Sequence, residues 1–131
     1  MAEGTMFIPI TPARKALAVR FGLPYSDRMQ DWEWEVADAH RFGDFLSAYV
    51  TAALPDEQRA SLMEMLIQCV EEMGEPVEFE TSWSTIEPHL IGRAALHRPT
   101  IAYWARLEEA DADAGFRVTP AMRRVWGATS A

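Results

Sequence analysis

The chain is nearly devoid of cysteine. A single Cys69 among 131 residues leaves no partner for an internal disulfide, which fits a reducing compartment and an expected cytoplasmic location. Long apolar runs are missing too: no stretch reaches the roughly 18 residues that a membrane helix needs. The opening MAEGTMFIPI has no basic segment and only a short apolar one, so a signal peptide is not expected. Glycine is sparse, with seven residues, all isolated, and no phosphate-cradling loop can be built from them. Basic residues are also in short supply. Twelve Lys and Arg face 20 Asp and Glu, for a net charge of -8 and a pI near 4.8. Such a chain repels phosphate backbones, so nucleic acid is not an expected partner. No period of roughly 20–50 residues marks a repeat protein. What the chain does contain is ordinary globular material: 49% hydrophobic, 11% aromatic and 24% charged residues. The length fits one domain over residues 1–131, with residues 1–5 expected as a loose N-terminal tail.

The charge is unevenly placed. Residues 1–23 carry net +2, residues 24–81 carry fourteen acids against three bases for net -11, and residues 82–131 carry net +1. An acidic middle flanked by basic ends can pair internally, coat a solvated face, or steer a basic partner.

Periodicity and capping chemistry predict helices. Thr11-Pro12-Ala13 opens the first, Leu17 and Phe21 share its inner face, and Gly22 closes it in a left-handed conformation. Asp38 caps a helix with a buried face of Phe42, Phe45, Leu46, Tyr49 and Ala53. Pro55-Asp56-Glu57 starts the clearest helix, which runs to Gly74. Leu62, Leu66, Cys69 and Met73 form its apolar stripe, widened by Met63, Ile67 and Val70. Glu57, Glu64 and Glu71 recur on what reads as its wet face. A helix this apolar belongs near the centre of a bundle, and its Cys69 thiol should be protonated and inert. Residues 75–80 read as an acidic loop, 82–96 as a helix that Pro88 either begins or kinks, and Pro99 as the restart of another. Asp111 to Gly115 reads as a turn, and Pro120 to about Trp126 as a last helix. Asp31-Trp32-Glu33-Trp34-Glu35-Val36 alternates strictly and is expected to be extended, because in a helix the two tryptophans would diverge by about 200°. The expected fold is therefore all-α: a compact bundle of five or six helices, with at most a trace of strand near 31–36.

Motifs for catalysis are scarce. There is no GxSxG, no HExxH, no Glu-x-x-His pair and no Cys/His cluster, so no cofactor or metal is expected. His40 and Asp44, four apart on a predicted helix, could face one ion, as could His89 and His97 if Pro88 and Pro99 leave their helix intact. The acidic-aromatic stretch offers the other candidate surface, formed by Asp31, Trp32, Glu33, Trp34, Glu35 and Asp38. Tryptophan anchors interfaces, and carboxylates meet basic groups on a partner. One tryptophan of the pair is expected to be core.

The runs Phe7-Ile8-Pro9-Ile10-Thr11-Pro12-Ala13, Asp31 to Asp38, Leu62-Met63-Glu64-Met65 and Ile101-Ala102-Tyr103-Trp104 resemble a set of small acidic bacterial helical proteins that implies no activity. In size, acidity and helicity the chain is also similar to immunity proteins that neutralise bacterial toxins. The expected function is a protein-binding module with an acidic face, immunity-like or regulatory, whose partner is another and basic protein. A helical interface would also allow a homodimer. The alternative is a small enzyme or metal-binding protein with a site around His40, Asp44 and the acids of residues 27–38.

Overall fold

The computed structural model describes residues 10–130, so the expected loose tail over residues 1–5 lies outside it. Its centre is the helix the sequence marks most strongly. Helix α4, Asp56–Glu72, buries Leu62, Met63, Met65, Leu66, Ile67, Cys69 and Val70. Each such large apolar side chain contributes about 1.5–3 kcal/mol when taken from water. Around α4 pack α1 (Ile10–Phe21), α2 (Trp32–Val36), α3 (Phe42–Thr51), α5 (Pro76–Gly92) and α6 (Ala94–Ala105). Helix α7 (Thr119–Thr129) closes the bundle against α5 and α6. Short 3-10 turns at Ala39–Arg41 and Ala112–Ala114 join the elements. Among the described residues there are seven α-helices and no strand: the all-α bundle is as expected, one short helix richer. No described helix is long and apolar enough to cross a membrane.

Three local expectations are corrected. Residues 31–36 are not extended; Trp32–Val36 is a short helix. The divergence of its tryptophans, which argued for a strand, is used instead. Trp32 is fully buried on one side and donates its indole N–H to the Pro24 carbonyl at 2.7 Å. Trp34 turns the other way and stacks on Tyr103 of α6 at 5.2 Å. Residues 75–80 are not a loop either. Pro76, a residue suited to a first turn, starts α5 there. Pro88 and Pro99 lie inside α5 and α6 and start neither. The helices break at Arg93, and burial of Trp83, Ile86 and Leu90 on one side and of His97, Ile101 and Trp104 on the other outweighs each lost backbone bond.

Two helix ends are closed as the sequence implies, but Thr11 is not a cap, because α1 already includes Ile10. Gly22 has φ +66°, a left-handed closure of α1. The Asp38 side chain accepts from the His40 N–H and caps the 3-10 turn that leads into α3. Glu71 departs from expectation. It is no wet-face residue, because its carboxylate accepts the backbone N–H groups of Arg117 at 2.9 Å and Val118 at 3.0 Å, and so caps α7 from the far end of α4.

Cys69 is buried, and burial first of all pushes its thiol up to about 12. Its Sγ meets the Asp38 carbonyl at 3.4 Å. A thiol reagent will therefore label native protein slowly and denatured protein fast; equal rates would displace this face of α4 from the core. Cys69→Ala should cost about 1 kcal/mol in denaturant unfolding, the loss of one buried group of methylene size with its small cavity.

Candidate functional site

A cleft of about 300 Å³ opens along one face of α4, where Glu57, Ala60, Ser61 and Glu64 follow one another at helical spacing. Arg14 of α1 lines one wall, Asp31, Glu33 and Trp34 the other, and Thr100 of α6 one end. Four carboxylates thus line a space with one guanidinium.

Arg14 and Glu33 form the structural wall. Glu33 is buried, and both its oxygens accept from Arg14, Oε2 from Nε at 3.0 Å and Oε1 from Nη2 at 2.7 Å. The Ser61 hydroxyl also donates to Glu33 Oε2. Arg14 also donates to the Met29 carbonyl at 3.3 Å and the Gln30 carbonyl at 3.0 Å. The pair is bidentate and almost dry, with 11% and 10% of the two side chains exposed. It fastens the residues before α2 to α1.

Glu64 is different. Its Oε1 accepts from two indoles, Trp34 at 3.1 Å and Trp104 at 2.9 Å, and its Oε2 accepts from the Thr100 hydroxyl at 2.8 Å. All three donors are neutral, and no cation among the described residues pairs with it. Burial raises its pKa; the hydrogen bonds from Trp104, Trp34 and Thr100 oppose that rise, and the neighbouring Glu33 adds to it. The heptad that placed Glu64 on the wet face was misleading. It shares a stripe with the exposed Glu57, but α2 and α6 close over it half way along α4.

Of the six residues expected to form a binding surface, the cleft unites three: Asp31, Glu33 and Trp34. Trp32 is core. Glu35 is exposed on the short helix and accepts the Asp31 N–H at 3.2 Å. Asp38 serves as a cap. Arg14, Glu57, Ser61, Glu64 and Thr100 complete the site and carry no motif. Their only trace in the sequence is the small and polar character of positions 57, 60, 61 and 64 on one face of α4. The His40–Asp44 pair does not assemble. His40 sits in the 3-10 turn, where α-helical spacing fails, and its Nδ1 meets Asp38 at 3.2 Å, while Asp44 meets Arg41 at 3.4 Å. No three His, Cys, Asp or Glu among the described residues group as metal ligands.

The two buried glutamates respond oppositely to removal of charge. Arg14→Ala leaves Glu33 buried without its cation and should cost about 3–5 kcal/mol in urea unfolding. For Glu64, a raised pKa means that the folded state favours the protonated form. That contribution is present at low pH and lost as pH rises through the raised value. Glu64→Gln should accordingly be as stable as the wild type or more so at pH 8, with the advantage disappearing in acid. A melting temperature lower at pH 8 than the wild type's would contradict this.

No family model, no curated protein and no solved structure matches the chain.

Proposed function

We propose that the protein is a cytoplasmic binding module, immunity-like or regulatory, whose cleft takes a basic side chain of a partner protein. The observation that carries this reading is Glu64, a half-buried carboxylate at the cleft with three neutral donors and no cation among the described residues. An entering ammonium or guanidinium would supply the missing charge in a partly desolvated site, where it counts for most. Most of the other donors of the lining are already committed. Trp34 and Thr100 donate to Glu64, Ser61 donates to Glu33, and Arg14 donates to Glu33 and two carbonyls. What remains on offer is mainly lone pairs, together with the exposed carboxylates of Asp31 and Glu57 at the rim. A donor-rich cation complements that set and an anion does not. The net -11 of residues 24–81 would steer such a partner toward the site.

A small enzyme is the second reading. A carboxyl group whose pKa is raised by burial, beside a second carboxylate paired to arginine, is suited to proton donation. That would move the catalytic centre from His40 and Asp44 to Glu64.

Pentalysine serves as a probe of the binding reading, followed by tryptophan fluorescence at low salt. Wild-type protein should bind it, and affinity should fall as salt rises. Glu64→Gln or the pair Asp31→Asn with Glu57→Gln should weaken binding about tenfold or more, as expected for losing a partly buried charge partner. Glu78→Gln with Glu80→Gln, exposed on α5 away from the cleft, should leave it nearly unchanged. Equal losses from both sets would mean that only net charge is read, and the cleft would no longer be the site.

A further inference from the structure

A fully buried histidine lies outside the cleft. His97, in the second turn of α6, has no exposed surface. Its Nε2 is 2.7 Å from the Tyr49 hydroxyl of α3, and its Nδ1 has no partner among the described residues. What faces this ring comes from every neighbouring element. Tyr49 on α3 lies with its ring centroid 6.0 Å away. Helix α4 contributes Arg59, a buried cation 5.0 Å over the Tyr49 ring, whose Nη1 donates to the Tyr49 carbonyl at 3.0 Å. It also contributes Asp56, the one acid acting on His97. His89, near the end of α5, stands 5.2 Å from the Tyr49 ring. Arg93, at the break between α5 and α6, has the unwound backbone φ -127°, ψ 47°. A proton arriving on His97 would thus meet two arginines and a second histidine, against a single aspartate.

We propose that the Tyr49–His97 pair is an acid-sensitive latch that seats the start of α6 against α3, and that protonation of His97 releases it. Arg93 provides the hinge, since the chain already departs from helical geometry there. The release reaches the cleft because Thr100 and Trp104 lie on the same helix as His97. They are two of the three donors that hold the Glu64 carboxylate. That the latch thereby regulates binding rests on the function proposed above; the latch itself does not.

The sign follows from the surroundings. Burial, then Arg93 and Arg59, hold the folded-state pKa of His97 down to about 4 against an ordinary value of 6.5. Its neutral form stabilises the closed arrangement fully above 6.5. That contribution is lost progressively as pH falls from 6.5 toward 4, because the open form takes up the proton more readily.

The test follows the five indole N–H signals by NMR in Glu64→Gln, where the carboxyl's own titration no longer moves them. On acidification, the Trp34 and Trp104 signals should shift in one step while Trp32, bonded to Pro24, holds its position. Adding His97→Gln should remove the step; adding His40→Gln should not. All five signals moving together would show global unfolding in place of a latch, and a step that survives His97→Gln would assign it to another group. Should the double variant fail to fold, histidine ring-nitrogen shifts in Glu64→Gln decide instead. His97 gaining its proton together with the indole step supports the latch. His97 titrating with no change at Trp34 and Trp104 overturns it. The consequence for function is read separately, as pentalysine affinity of wild-type protein above and below the step. An indole step without a change in affinity would refute the regulation and leave the latch standing.

Discussion

A carboxylate placed in the middle of the central helix must be satisfied by the protein, because burial removes most of its water. Glu64 is that group, and much of the surrounding architecture can be read as the answer to it. Two indole N–H groups and one hydroxyl converge on its two oxygens from α2 and α6, elements far apart in sequence. Each of those donors sits on a helix positioned by something else. Trp34 is carried by a short helix tied to α1 through the Arg14–Glu33 pair. Trp104 and Thr100 are carried by α6, which Tyr49 holds at its other end through His97. The aromatic contacts of Trp34 with Tyr103 and Trp104, and of Trp104 with Phe116, add packing around the same point.

The same solution leaves a charge imbalance. Neutral donors stabilise an ionised carboxylate less than a cation does, so Glu64 keeps a raised pKa in spite of three hydrogen bonds. Glu33, one step along the cleft, shows what full compensation looks like here: a bidentate guanidinium and a serine hydroxyl. The two glutamates differ above all in partner: Glu33 has a cation and the half-buried Glu64 has none among the described residues. A protein selected for stability alone gains little from leaving the second carboxylate without a cation, and this asymmetry is the physical reason for reading the cleft as a place where something binds.

The apolar framework was legible in the sequence because it follows period and capping chemistry. The stripe of α4 is buried as its spacing demands, Gly22 closes α1, and Asp38 caps the turn before α3. The site was legible only in part. Asp31, Glu33 and Trp34 stand out as an acidic-aromatic run, but their alternation suits a strand, and only tertiary packing on both sides of so short a segment makes it a helix. Glu64 and Glu71 were hidden by their own regularity. A seven-residue spacing says that two glutamates share a stripe. It cannot say that another helix covers one of them, or that the other caps α7 from a distance. His97 was visible only as a candidate partner of His89, which the break at Arg93 places on another helix; its burial depends on α6 continuing through Pro99.

Glu64 and His97 then shape the pH response of the molecule. Glu64 has a raised pKa and His97 a lowered one, so they act in opposite directions. The folded state favours protonated Glu64, and that contribution fades as pH rises through the raised value. It also favours neutral His97, and that contribution fades as pH falls from 6.5 toward 4. Acidification therefore relaxes the strain at Glu64 while building it at His97, and both lie against the same helix. Protonation of Glu64 would remove the charge that the proposed site offers to a cation, while protonation of His97 would loosen the contact proposed to hold α6 in place. On the proposed reading, both effects would weaken a cationic ligand's hold in acid, so the electrostatics of Glu64 and the mechanics of His97 would act in the same sense on the cleft even though they oppose each other in stability.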